Sequence, residues 1–146
     1  MRNVRSEAGA VFPEVFSARG LAIGDYNNDG RPDLLVGVNG GAPVLLRNQS
    51  RQSNHWVGIR LQGLRCNRDA IGALLSWSVA GVKRSRLKTG GGSYLSSHDP
   101  REVIGLGSAT GLDWLEIRWP GPSTRVDRFT KLETGKYTTL IEGSGD

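Results

Sequence analysis

The chain has 146 residues, with 19 Lys and Arg against 14 Asp and Glu, a net charge of +5, 21 glycines, six prolines and one cysteine. That length holds one ordinary domain, or a small unit attached to one. The lone Cys66 excludes an internal disulfide, and no run approaches transmembrane length. Dense Gly and Pro turn signals, with no long apolar stripe of helical period, point to an all-β chain.

The segment Met1 to Ala8 lacks the apolar stretch of a signal peptide. Residues 1–49 then read as one blade-like repeat: Val11 to Phe16, Leu21 to Gly24, a polar loop, Leu34 to Val38 and Pro43 to Arg47. The loop, Asp25-Tyr-Asn-Asn-Asp-Gly-Arg-Pro-Asp33, places Asp25, Asn27, Asp29 and Asp33 at positions 1, 3, 5 and 9 of an oxygen cage. Calcium takes about six to eight oxygens at roughly 2.3–2.6 Å, which alternate side chains of a tight loop supply. Gly30 permits the sharp turn, and the carbonyl of Arg31, at position 7, is the natural backbone ligand. An EF-hand would add a bidentate Glu at position 12 and two flanking helices. Here position 12 is Val36 and the flanks are short apolar runs broken by glycine, so the loop joins two strands. Three carboxylates and an amide without bidentate closure predict modest affinity, about 10⁻⁴–10⁻³ M, as in extracellular modules. The alternative is a plain hairpin, because Asp29-Gly30 is itself a turn signal. Against it, the three carboxylates repel one another unless something neutralises them.

One blade cannot bury both of its faces. Its core must be completed by the rest of the chain, by further blades or by a second copy. Residues 50–55 read as a polar linker. From Trp56 the strands alternate, and phase sorts their aromatics. Val57, Ile59 and Leu61 share one face, leaving Trp56 opposite. Leu75, Trp77 and Val79 share another. Leu115, Ile117 and Trp119 oppose Trp114. Trp77 and Trp119 are therefore core residues, whereas Trp56 and Trp114 are candidate surface aromatics for stacking on sugars or anchoring an interface. After the tight Ala80-Gly81 connection, Arg84, Arg86 and Lys88 line one strand face. That stripe suits an acidic polysaccharide, or equally a strand edge charged against aggregation. Nucleic acid is excluded from the reading because no stacking aromatics interleave with the stripe and no helix offers itself to a groove.

Catalytic readings fail on inventory. His55 and His98 are the only neutral-pH bases, and Ser96-Ser-His-Asp-Pro100 places residues too close in sequence for triad geometry, so it reads as a turn. Gly105 to Gly111 imitates a nucleotide loop, but a strand follows it in place of a helix. Gly90-Gly-Gly92 reads as a bend. Cys66 reads as a buried small hydrophobe.

The segment Arg19 to Gly37, around the Asp25 loop, resembles an FG-GAP (VCBS-type) repeat, the blade unit of calcium-binding β-propellers. The remainder resembles an ASPIC/UnbV domain through Ser53-Asn-His-Trp-Val57, Asn67-Arg-Asp-Ala-Ile-Gly-Ala73, Gly92-Ser-Tyr-Leu-Ser96, Gly105-Leu-Gly107 and Ile117-Arg-Trp-Pro-Gly121. Ile104 stands where that family often has Phe, and Ser97 where Gln is common. The pairing is that of the cartilage acidic protein family and its bacterial relatives. It implies a secreted or cell-surface calcium-binding protein of matrix or adhesion type. The expected architecture is a propeller-blade-like antiparallel repeat (1–49) packed on or linked to a β-sandwich-like domain (56–146). The expected ligands of a structural Ca²⁺ are Asp25, Asn27, Asp29, the Arg31 carbonyl and Asp33. Two non-enzymatic functions stay open: a structural protein that assembles with itself through the incomplete blade, and a monomeric module for glycans or matrix polyanions. No membrane insertion is expected of either.

Overall fold

The structure, a computed structural model, describes residues 9, 11, 12, 14–51 and 53–146. It is all-β: ten strands in three sheets, with no helix among the described residues. The first sheet is the antiparallel order β1-β2-β3, from β1 (Ala18–Gly24), β2 (Asp33–Val38) and β3 (Val44–Leu46). The second joins β4 (His55–Gln62) to β7 (Glu102–Gly107) on one side, antiparallel, and to β10 (Tyr137–Ile141) on the other, parallel. The third has the order β6-β5-β8-β9, from β5 (Leu74–Val79), β6 (Val82–Leu87), β8 (Trp114–Arg118) and β9 (Val126–Phe129).

The second and third sheets form a sandwich, because alternation gives each strand one apolar face and the two sets close on each other. Val57, Ile59, Leu61, Ile104 and Leu140 enter the core from one sheet. Leu75, Val79, Leu115, Ile117 and Phe129 enter from the other. Trp77 and Trp119 are buried as their phase requires. The Trp119 indole N–H donates to the buried Asp127 carboxylate at 2.8 Å. Every buried apolar side chain among the described residues lies between Val57 and Leu140. The first sheet contributes none.

That sheet has apolar side chains on both faces, in register. Leu21, Val36 and Val44 align across the three strands on one face, and Ala22, Leu35 and Leu45 on the other. None is fully buried. Of the Val11 to Phe16 segment, Pro13 lies outside the described residues. Val11 and Phe12 form a turn, and Phe12 and Phe16 border a shallow depression with Val36, Val44 and Leu46. No strand forms at residues 14–17.

The basic stripe on β6 is a correction to the sequence reading. Arg84 pairs opposite Trp77 and Arg86 opposite Leu75, so both lie on the core-facing side of an edge strand. The Arg86 guanidinium sits 5.8 Å above the Trp77 ring. It donates to the Val103 carbonyl at 3.1 Å and lies 3.2 Å from Glu102. Lys88 is 2% exposed, hydrogen-bonded to the Pro100 carbonyl and 3.6 Å from Glu102. Two of the three cations thus stitch one sheet of the sandwich to the other, and only Arg84 remains free.

The C-terminal strand is held by a buried carboxylate. Glu142 accepts the amides of Leu64, Arg65 and Cys66 at 2.8, 2.7 and 3.2 Å. The Ser123 hydroxyl and these amides outweigh burial and bring its carboxyl down from 4.5 to about 2. Cys66 is half-buried against the core, and its thiol is pushed up, first by burial and then by Glu142. A depressed carboxyl stabilises the fold fully above its unfolded value and loses that contribution as protons bind. Stability is therefore expected to fall from about pH 4.5 toward pH 2. Glu142→Gln should be less stable at pH 7 and show a flatter acid limb in urea titrations. An unchanged acid limb would show that this carboxylate does not carry the effect.

Candidate metal centre

The loop between β1 and β2 is built around two carboxylates that are the only buried side chains of the first sheet. Asp25 is 3% exposed and Asp33 2%. Asp25 accepts the amides of Asp29 at 3.0 Å and Gly30 at 2.7 Å, which winds the chain back on itself. Asp33 accepts the Tyr26 amide at 3.2 Å across the loop and the Asn48 amide at 2.7 Å beyond β3. Asp29 accepts from the Arg31 amide at 3.0 Å, the Arg31 guanidinium at 2.5 Å and the Asn27 side-chain amide at 2.7 Å. Burial works to raise the Asp29 carboxyl, but Asn27 and Arg31 together hold it below its ordinary value.

All five residues expected to hold an ion therefore sit in one turn. Their side chains are tied mainly to the backbone and to each other. Among the described residues no group of three or more His, Cys, Asp or Glu side chains converges as a metal cage. The donor set nonetheless fits a hard cation. The Asn27 Oδ1 is buried with no hydrogen-bond partner, which leaves a neutral oxygen free inside the loop. Asp25 and Asp33, with roughly four lone-pair sites each, retain acceptor capacity beyond the amides they already bind. Oxygen ligands of this kind are what calcium takes.

The loop also makes a joint. Gly30 has φ of +79°, and a Cβ there would lie 2.3 Å from the Trp56 ring, so the backbone of the turn rests directly on the indole. Trp56 packs in turn against Tyr137, with centroids 5.3 Å apart and the rings tilted at 59°. Tyr137 sits over Gly58, where a Cβ would come within 2.4 Å of its ring. Its hydroxyl donates to Asp25 at 2.8 Å, and burial followed by this carboxylate pushes the phenol well above its ordinary range. The Arg101 guanidinium lies over the Tyr137 ring, 4.1 Å from its centroid. It donates to the Asp25 carbonyl at 2.7 Å and to Asn28 Oδ1 at 2.6 Å, and forms an ion pair with Asp99 at 2.6 Å. Burial works to raise the Asp99 carboxyl, but Arg101 holds it below its ordinary value.

Beside this clamp, the segment before β7 closes the outer edge of β1. The Asp99 amide donates to the Ile23 carbonyl at 2.9 Å, and the Ile23 amide to His98 Nδ1 at 3.3 Å. A cleft of about 420 Å³, bordered by Asp25, His98, Arg101 and Tyr137, runs along the seam. Ser96 to Asp99, read from sequence as part of a turn, form no turn and lead to a bend at Pro100 and Arg101, where the Arg101 amide donates to Asp99 at 2.9 Å; the work of the segment is to cap a strand of the other unit.

Trp56, taken from its phase as a surface aromatic, is thus covered by the loop and is not a free ligand platform. Trp114 is half-buried on the outer face of the third sheet. Arg101, Tyr137 and His98 were not singled out as joint residues. The signal available was Tyr137 itself, an aromatic in the last strand, but nothing local names its partner.

With that geometry in place, residues 63–146 match the family described as ASPIC and UnbV, and residues 17–51 match the FG-GAP repeat. The chain belongs to the ASPIC and UnbV family. The FG-GAP match spans β1 to β3 with the Asp25 loop, and the ASPIC/UnbV match takes in the sandwich from the end of β4 onward. No curated protein matches the chain. An FG-GAP repeat followed by an ASPIC/UnbV domain fits a β-propeller-like extracellular protein.

The joint predicts two losses. Arg101→Ala removes hydrogen bonds from a charged donor, each worth about 1.5–3 kcal/mol. Amide exchange at Ile23 and Asp99 should then rise to that of an open strand edge while exchange in the ASPIC/UnbV core stays slow. Gly30→Ala should undock the repeat more completely, since φ and Trp56 both oppose a Cβ. Uniform acceleration across the whole chain would mean the two units unfold together.

Proposed function

We propose that this chain is a non-enzymatic, calcium-binding structural or adhesion unit of the extracellular space or cell surface, which assembles with its own copies through the FG-GAP blade. The observation that carries the reading is that the blade, among its described residues, buries two carboxylates and no apolar side chain. Its order must come from its loop, from the joint with the ASPIC/UnbV domain and from something that covers its faces. Calcium held by Asp25, Asn27, Asp29, the Arg31 carbonyl and Asp33 would supply the first of these. The ion would neutralise carboxylates that otherwise repel, and would do so at the turn that the joint grips.

A second copy would supply the cover. Leu35 and Leu45 are 44% and 47% exposed on neighbouring strands. The β1 edge is already capped by His98 and Asp99, so among the described residues the open pairing edge of the blade is β3. Strand addition at β3, or packing on the Leu35 face, is head-to-tail where it meets a different surface of the next copy, and such contacts grow into filaments unless rotation closes them, whereas β3 on β3 closes as a two-fold dimer.

Calcium at ten times its Kd should add about 1.4 kcal/mol to the stability of the parent. Asp29→Ala should lose that increment in calorimetry against chelator. Equal increments in parent and variant would remove the ion from the loop. Light scattering should show assemblies well above the mass of one chain in calcium, and Leu35→Lys should return them to single chains. A monodisperse single chain for the parent would overturn the assembly reading while leaving the calcium reading intact.

A further inference from the structure

We infer that the outer face of the β6-β5-β8-β9 sheet, centred on Trp114, is a docking surface for an acidic polysaccharide, one whose sugar rings carry sulfate or carboxylate groups. The face is assembled by register. Lys83, Ser78 and Trp114 align across β6, β5 and β8, and Ser85, Ser76, Glu116 and Arg128 align across β6, β5, β8 and β9. Two cations from different strands lie over the Trp114 ring, with the Arg128 guanidinium 4.9 Å and the Lys83 ammonium 6.0 Å from its centroid. Both cations are exposed, and neither forms an ion pair with an acidic side chain among the described residues.

Three features of this arrangement select the ligand. The indole quadrupole holds both cations in fixed places on the face, where they meet the acidic substituents of a sugar ring, and the part of the half-buried indole left exposed adds apolar contact. Ser76 and Ser85 lie alongside in one row, supplying hydroxyls that both donate and accept. Glu116, between Ser76 and Arg128, accepts hydrogen bonds from the neutral hydroxyl groups of a sugar ring. Single-stranded nucleic acid instead needs a run of stacking aromatics along a continuously basic track. Trp114 is the one aromatic among the strand residues of this face. The polyanion surface read from sequence on Arg84, Arg86 and Lys88 thus belongs on the opposite side of the same sheet, because Arg86 and Lys88 are consumed by Glu102 and by backbone carbonyls. This inference stands apart from the calcium loop, which lies against the other sheet of the sandwich.

The test uses the full chain and a size-defined heparin oligosaccharide, with its desulfated counterpart and an oligodeoxythymidylate of similar charge as comparisons, in calorimetric titrations at 0.15 M salt. The parent should bind the sulfated sugar at least tenfold more tightly than either comparison. Trp114→Ala and the pair Lys83→Gln/Arg128→Gln should each weaken binding by roughly tenfold. The pair Arg60→Gln/Arg84→Gln, exposed cations elsewhere on the sandwich, should stay within about twofold of the parent. The Lys83/Arg128 pair keeps the test decisive even where Trp114→Ala disturbs the sheet. Equal weakening by both charge pairs would reduce the binding to net charge and overturn the site. Tighter binding of the oligodeoxythymidylate, or no binding of the sulfated sugar by the parent, would overturn the ligand class.

Discussion

Asp25 is the residue on which the arrangement of the whole molecule turns. A buried carboxylate is tolerated only where hydrogen bonds replace its hydration, and this one draws its partners from two units: amides of its own loop and the phenol of Tyr137. Its carbonyl is taken by Arg101. Satisfying one side chain and its own carbonyl therefore fixes the fold of the loop and the placement of the blade on the sandwich at once. Apolar contact is non-directional and would permit sliding. A joint made of charged donors, a carboxylate and two rings tilted against each other specifies an angle, and that specificity substitutes for the core the blade does not have.

The dependence runs one way. The sandwich closes fifteen buried apolar side chains without help from residues before Val57, whereas the blade has three strands, two half-exposed faces and a polar anchor. Such a unit sits at the low end of local stability, opening before the rest. The strand edges follow the same division. On the sandwich, β6 is an edge with no buried side chain, carrying Lys83, Arg84 and Arg86, which discourages further pairing. On the blade, β1 is closed by a loop of the ASPIC/UnbV domain, and β3 stays open. The molecule thus guards β6 with charge and β1 with its own loop, and among the described residues leaves β3 without a strand beside it.

What could be read from the sequence was what local periodicity and spacing encode. Alternation placed Val57, Ile59, Leu61, Trp77 and Trp119 in the core, and they are there. The spacing of acidic residues located the loop, because its winding depends on carboxylates a few positions from the amides they accept. Three things escaped. Tyr137 and Arg101 reach Asp25 across 112 and 76 residues, a separation no local pattern reports. Trp56 was correctly placed opposite Val57, yet phase says which face a side chain takes and not what covers that face. Arg84, Arg86 and Lys88 were correctly put on one side of their strand. The two-residue turn at Ala80-Gly81 also pairs Val79 with Val82, and hence Arg84 with Trp77. The core-facing orientation of that stripe was therefore implicit in the hairpin register, a step beyond strand-by-strand periodicity.

That step changes what the excess of positive charge means. Net charge is a sum, and a partner meets only the part left exposed. Arg31, Arg86, Lys88, Arg101 and Arg125 are each paired with a carboxylate inside the fold. Their task is to hold the loop, the two sheets of the sandwich, the joint and β9 in place. A chain with this composition is basic overall without presenting a continuous basic field. Recognition of any anion must then rest on a few cations fixed in relation to something else, and an aromatic ring with two of them over it is what converts scattered charge into a defined geometry.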